Sequence, residues 1–408
     1  MAMTLTEKIL SRGCGRDSVK PGEIVNVDVD RAMIHDNNAG LVIKYFNEII
    51  RPDVWDPDKV VFFIDHHSPS TTPKAVKHHD TMRKFAAAQG ISRFYDCGSG
   101  ISHVVMLEEG LAGAGEIVVG TDSHTTGEGA MGSFATGIGA TEMAAVLATG
   151  KVWLRIPPTI KIEVEGALPE DVDARDLMAS ILRRFGPDGA NYCAVEFHGS
   201  ACRNMSLDER TMCCVMSMEM GAKNALFSDE EHAGDARYSA VEAFDAGLVE
   251  PMVAVPSLPT NGQPAREVAR QNIRIQQAAI VSCAGALLKD LAAASRILEG
   301  RKVASGTRLL VIPASRKIYS KALESGYLKI LHDAGAIIGS PSCGACGGHD
   351  AGILAEGEVC ISTSTKNMSG RMGAGGIVYL GSAATAAASA VRGVITDPRE
   401  FLNEKGGA

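Results

Sequence analysis

The feature that most restricts the fold of this chain is a recurring alternation. A short run of consecutive apolar residues leads into a dense polar cluster, and a helical pattern follows. VVFFID (60–65) runs into Asp65-His66-His67 and then into PKAVKHHDTMRKFAAAQG, which ends at Gly90. EIVVGTDSH (116–124) runs into Thr121-Asp122-Ser123-His124 and then into GIGATEMAAVLATG. Apolar runs of this length fit strands buried on both faces, and strands that alternate with helices form parallel sheets. The expected fold class is therefore α/β with largely parallel sheets. In such sheets ligands bind at the carboxyl ends of the strands. The polar clusters fall there, and Ser342-Cys343 is a third case.

At 408 residues the chain is long for one domain. IPPTIKIEVEGAL (156–168) restarts after a Pro-Pro break, and VPSLPTNGQPA (255–265) has the composition of a linker. The expected domains are 1–155, 156–254 and 265–408, with TRLLVIPA, GAIIGS and EVCISTST as strands of the last. Thr4 with Glu7, and Ser206 with Glu209, have capping-box spacing. The net charge of -8 argues against nucleic-acid binding through bulk charge, but says little about a small anionic substrate. The start, MAMTLTEKIL, lacks the apolar stretch of a secretory signal. The uncharged stretch Met372–Val391 is mostly Gly, Ala and Ser, and reads as a tight loop plus a buried helix rather than a membrane span. A cytoplasmic protein is expected, with no membrane partner. Its ten cysteines are then thiols or metal ligands rather than disulfides. Cys213 and Cys214, in a helical pattern, are expected to pack.

Three cysteines stand apart. SPSCGACGGHD spaces Cys343 and Cys346 as C-x2-C, and Cys283 follows an apolar strand in IVSCAGA. One distant and two close thiolates suit an iron–sulfur cluster with one iron left without a protein ligand, and such an iron acts as a Lewis acid. A structural zinc site with His349 as third ligand, or a set of buried thiols, fits the same spacing. Asp65 before His66 can hold an imidazole in one tautomer and raise its basicity. Asp122 or Ser123 would equally cap the next helix. His103 follows a Gly-Ser-Gly turn and could be structural. Glu196, in the apolar YCAVEFHG, needs a cation or a raised pKa. Arg371, in NMSGRMG, could clamp a carboxylate or lie on the surface.

Taken in order, these segments resemble the aconitase superfamily, and within it the large subunits of two-subunit dehydratases of the isopropylmalate type. The resemblance rests on GISHVVMLEEGLAGAGEIVVGTDSHTTGEGAMGSFATGIGATEMA, YCAVEFHGSACRNMSLDERTMCCVMSMEMGAK, IVSCAGALLKDLAAASRILEG, SPSCGACGG and TSTKNMSGRMG. It implies three α/β domains around a [4Fe–4S] cluster with one labile iron, without the swivelling fourth domain. Cys283, Cys343 and Cys346 would bind the cluster. Asp65 and His66 would protonate the leaving hydroxyl. His103, Asp122 and His124 would hold water and hydroxyl, and Glu196 would hydrogen-bond there. His35, Ser123, Lys366 and Arg371 would contact substrate. A separate small subunit would supply the swivelling domain and a serine base.

Two departures from the family pattern stand out. Ala284-Gly285 replaces Thr-Asn, and Thr365-Lys366-Asn367 replaces Asn-Arg-Asn. They lead to the expectation of a smaller, malate-type substrate (malate or maleate, 2-methylmalate, 2,3-dimethylmalate) over 3-isopropylmalate. The readings of another class are a cluster-free zinc-binding α/β protein and a binding module.

Overall fold

The computed structural model describes residues 3–48, 53–228, 236–348 and 351–402. His349 lies outside the described residues. The chain forms two compact units. The first comprises residues 1–97, 102–166 and 188–245. The second comprises 98–101, 167–187 and 246–408.

The first unit contains β1 (Ile24–Asp28), β2 (Arg31–His35), β3 (Val60–Phe63), β4 (Phe94–Tyr95), β5 (Ile117–Gly120) and β6 (Phe134–Gly137). It continues with β7 (Lys151–Arg155), β8 (Thr159–Glu165), β9 (Ala194–His198), β10 (Asn224–Phe227) and β11 (Ala240–Asp245). A parallel five-stranded sheet has the order β4-β3-β2-β5-β6. All four residues of β3 and of β5 are buried, as their unbroken apolar runs require. A parallel four-stranded sheet has the order β10-β9-β8-β11. β1 and β7 pair antiparallel, and both alternate exposed and buried residues, so this ribbon covers the core with one face. Behind the five-stranded sheet, Val42, Phe46, Phe62, Met82, Phe134 and Leu147 belong to one core cluster.

The second unit carries β12 (Met252–Ala254), β13 (Gly262–Pro264), β14 (Gln277–Ile280), β15 (Arg308–Val311), β16 (Ile337–Ile338), β17 (Val359–Ser362) and β18 (Ile377–Gly381). They form a seven-stranded sheet of order β13-β12-β18-β17-β14-β15-β16. The stretch from β18 through β16 is parallel, and β12 and β13 are antiparallel additions. Residues 167–187 and 246–254 pack with this sheet rather than with their sequence neighbours. The Asp176 carboxylate accepts the Met252 N–H at 2.8 Å, and β12 pairs with β18.

The largely parallel α/β architecture anticipated from the sequence is the one the chain adopts. Both capping boxes form: Thr4 and Glu7 exchange bonds at 3.2 and 3.0 Å, and Ser206 does the same with Glu209. Met372–Val391 differs from expectation. Its Ile377–Gly381 segment is strand β18, and only Ala383–Arg392 is helix. The β-branched pair Ile377-Val378 followed by Tyr379 favours the extended chain that β17 is placed to pair. Among the described residues no helix is long and apolar enough to cross a membrane. None of the ten cysteines is in a disulfide.

Candidate active site

Parallel strands deliver their C-terminal residues to one edge of a sheet, and in the first unit that edge is rich in imidazoles. His35 ends β2, Asp65 and His66 follow β3, and Asp122 follows β5. His103 enters from the helix Ser102–Glu108. Ser123 and His124 open the 3-10 turn Ser123–Met131, whose N-cap is Asp122. The capping and the functional readings of Asp122 both hold. Its Oδ1 accepts the His124 backbone N–H at 2.7 Å, while the same carboxylate faces four imidazoles.

His103 Nε2 lies 3.3 Å from Asp122 Oδ1, and His124 Nδ1 lies 3.6 Å from it. His35 Nε2 and His66 Nε2 lie 3.6 and 3.7 Å from Oδ2. Each of three histidines has a further carboxylate on its other nitrogen. His66 Nδ1 is 2.7 Å from Asp65 Oδ1, His103 Nδ1 is 3.1 Å from Glu128 Oε1, and His124 Nε2 is 3.1 Å from Glu219 Oε1. Asp65 is itself fixed, because its Oδ2 accepts the Ser102 N–H at 2.8 Å.

Charge in this cluster follows from those contacts. Burial by itself would lower His66, but Asp65, Asp122 and Asp36 raise it to about 9. Burial also opposes the charged form of His103, and Glu128 with Asp122 overcomes this, raising it to about 10. Glu128 is pushed up by its own burial, so it and Asp122 share the task of holding that proton. Burial works against the charged form of Asp122, but the hydrogen bond and positive charge of His103 outweigh it and hold Asp122 well below the usual carboxylate range. His35 moves the other way. Burial and the neighbouring His66, with ring centroids 4.5 Å apart, lower it. At neutral pH the site therefore presents proton-bearing His66 and His103 beside a neutral His35.

Glu196 does not join this group. It is a fully buried residue of β9, where Oε1 accepts the Thr6 N–H at 2.8 Å and Oε2 accepts the Tyr238 hydroxyl at 3.2 Å. Its neighbours are the start of the Leu5–Gly13 helix, Tyr238 and His198. The glutamate that does contact this group is Glu219, brought to His124 by the turn Met218–Met220 that follows the Leu207–Ser217 helix. Sequence reasoning passed over Glu128 and Glu219. Each is an acid inside a small-residue or apolar helical segment, and that is the signal that could have flagged it. Ser123 lines a cavity of about 340 Å³ together with Asp122, Thr126, Gly139 and Lys223.

The remaining expected residues belong to the second unit, again at a C-terminal strand edge. Cys283 follows β14, Cys343 and Cys346 follow β16, and Lys366 and Arg371 follow β17. Cys346 donates its N–H to Cys343 O at 3.3 Å across a 3-10 turn. Gly344, at φ 56°, permits that turn, since a Cβ there would lie 2.5 Å from Ile312 Cδ1. Arg371 Nε donates to Cys346 O at 2.8 Å. Ser282, at φ 84°, is locked by Oγ on Thr363 O at 3.0 Å, which holds the Cys283 loop in an uncommon conformation. A Cβ at Gly285 would overlap Thr363, so asparagine cannot occupy this position as the backbone stands. On the loop after β17, Thr365 Oγ1 and Asn367 Oδ1 are buried without a hydrogen-bond partner. Three thiols at the carboxyl ends of strands of one sheet, two of them on a turn that Gly344 permits, are the donor set a thiolate-held iron–sulfur cluster would use.

The α/β chain thus gathers paired imidazoles and carboxylates at one strand edge, and three thiols with an arginine at another. It belongs to the aconitase family: that family's model, described as aconitate hydratase, matches residues 7–233 and 226–393. It is accordingly a hydro-lyase. The chain is similar to the 3-isopropylmalate dehydratase large subunit 1 of Methanopyrus kandleri, 45% identical with 98% of this chain and 100% of that protein covered. The probable 3-isopropylmalate dehydratase large subunit of Methanothermobacter thermautotrophicus is 44% identical, covering 98% and 99%. In fold it resembles Thermococcus kodakaraensis aconitase X, with TM-score 0.53, 12% identity and 90% and 94% of the chains covered.

Proposed function

We propose that this chain is the large subunit of a 3-isopropylmalate dehydratase, reversibly removing water from a hydroxy-dicarboxylate in the cytoplasm together with a separate small subunit. The observation that carries the chemistry is the set of histidine–carboxylate pairs around Asp122. The substrate comes from relatives of 40–45% identity over 98% of the chain, named for 3-isopropylmalate. The malate-type expectation finds no support among them. It rested on a few loop positions, and Gly285 is accounted for by its contact with Thr363 rather than by substrate size.

In this reading Cys283, Cys343 and Cys346 hold a [4Fe–4S] cluster, which when bound supplies a Lewis acid for the substrate hydroxyl. His66 keeps a proton on Nε2, because Nδ1 is committed to Asp65, and donates it to the departing hydroxide. Asp122, with His103 and His124, orients water and hydroxyl. Arg371, Lys366 and Ser123 meet substrate carboxylates. The base that takes the carbon-bound proton comes from the small subunit.

The test is anaerobic reconstitution of iron and sulfide into this chain, mixing with the small subunit, and assay on 3-isopropylmalate beside malate analogues. Turnover of 3-isopropylmalate that needs both subunits is expected. Preference for a malate analogue, or full activity from this chain alone, would overturn the reading.

A further inference from the structure

From the hydrogen bonds around Asp36 we infer that Asp36 and His79 are positioning residues for the proton donor, holding the backbone of residues 66–67 and with it the His66 ring. The inference rests on the reading of His66 as donor. Asp36 begins the helix Asp36–Glu48, which follows β2, and is 1% exposed. Its Oδ1 accepts the backbone N–H of His66 at 3.1 Å, and its Oδ2 accepts that of His67 at 2.9 Å. Oδ2 also faces Nε2 of His79 at 3.1 Å. His79 is 2% exposed, inside the helix Pro73–Ala88 that follows β3, and its Nδ1 lies 2.8 Å from Ser70 Oγ. With Nε2–H donating to Asp36, Nδ1 accepts the Ser70 hydroxyl. One carboxylate thus ties the loop after β3 to two helices.

Nothing in the acid–base chemistry above uses this chain of contacts, yet its two titratable members, Asp36 and His79, are both buried and hydrogen-bonded. Burying a carboxylate is costly unless donors surround it, and three donors converge here. Asp36 Oδ1 is also 3.6 Å from His66 Nδ1, behind Asp65 at 2.7 Å. The charged and titratable groups that face His66 are Asp65, Asp36, Asp122 and His35. Asp36 therefore acts twice, on the loop's conformation and on the charge of the imidazole. His79 acts through Asp36.

The test uses the full chain with its histidines labelled at Cε1, the His66 resonance being assigned with His66→Gln. Its titration is followed by NMR in wild type, Asp36→Asn, His79→Phe and His79→Gln. Loss of a nearby opposite charge shifts a pKa by about one unit or more, so Asp36→Asn should lower the His66 midpoint by at least about one unit. His79→Phe should lower it less, and His79→Gln, which keeps an N–H donor, should restore it. In the assembled enzyme the expected pattern is a kcat loss of about tenfold for His79→Phe, with KM within about twofold of wild type, and rescue in His79→Gln. An unchanged His66 midpoint in the folded variants would overturn the inference. If Asp36→Asn fails to fold, the two His79 variants decide it. Wild type without hydro-lyase activity would defeat the functional reading alone, because the titration reads out independently of turnover.

Discussion

Asp65 Oδ1 stands 2.7 Å from Nδ1 of His66, and Asp65 is fully buried. That pairing directs the transferable proton to Nε2, on the side of Asp122. In the proposed mechanism this pairing gives a poor leaving group such as hydroxide a rigid, anchored donor. The consequences are testable.

Substituting His66→Gln should reduce turnover by at least about a hundredfold, the lower end of general-acid effects. Iron content and substrate-induced changes in the cluster spectrum should persist. Near-normal turnover with an intact cluster would remove His66 from the mechanism.

The same residue sets a pH dependence. Its folded-state pKa of about 9 lies above the ordinary 6.5, so its protonation stabilises the fold fully below 6.5, and this stabilisation is lost as pH rises through 9. Urea unfolding should show wild type losing its advantage over His66→Gln across that window. Activity should keep its alkaline limb near 9. A constant stability difference from acid to alkaline pH would contradict this assignment of charge.

Glu219 and Glu196 should separate cleanly. Glu219→Gln weakens the His124 pair and should cut kcat by about tenfold or more with little change in melting. Glu196→Gln disturbs the anchor on Thr6 N–H and Tyr238, and should cost about 1–3 kcal/mol of stability while kcat of the folded enzyme stays within about threefold. The reverse pattern in kinetics and thermal denaturation would return Glu196 to the site.

Among the cysteines, Cys346→Ser should abolish iron uptake in anaerobic reconstitution, whereas Cys213→Ala should keep it. Cys213 is fully buried in the apolar interior of the Leu207–Ser217 helix. Iron and sulfide analysis of both variants checks this. Equal loss in both would mean that thiol packing, not ligation, is being measured.

Arg175 is 3% exposed and donates to the carbonyls of Gly381, Thr363 and Ser364. Arg175→Met strips these acceptors and leaves Asp173 without its buried cation. The expected cost is about 3–5 kcal/mol in denaturant unfolding, with partial recovery in Arg175→Lys. A loss under about 1 kcal/mol would show that the guanidinium is dispensable.

What could be read from the sequence was local. β3 and β5 announce themselves as uninterrupted apolar runs, because a strand buried on both faces has no polar side to show. The clusters after them, Asp65-His66 and Asp122-Ser123-His124, are legible because the chain leaves a parallel strand where ligands bind. The Thr4/Glu7 and Ser206/Glu209 caps involve residues three apart, and both formed. β18 was missed because a run of Gly, Ala and Ser around Ile377-Val378 hides a strand whose partner, β17, is chosen in three dimensions.

The amino-acid sequence by itself determined the α/β class, the strand ends where polar side chains gather, and the residue types placed there: imidazoles, carboxylates and the thiols Cys283, Cys343 and Cys346. Only the tertiary structure decided who partners whom. Glu219 reaches His124 across 95 positions and Asp36 meets His79 across 43, whereas Glu196, in the same segment as Glu219, turns to Thr6. Hydrogen-bond geometry is settled within about half an ångström. No local periodicity carries that precision between distant residues. It arises when sheets and helices pack their apolar faces and bring buried charges to the donors that make their burial tolerable.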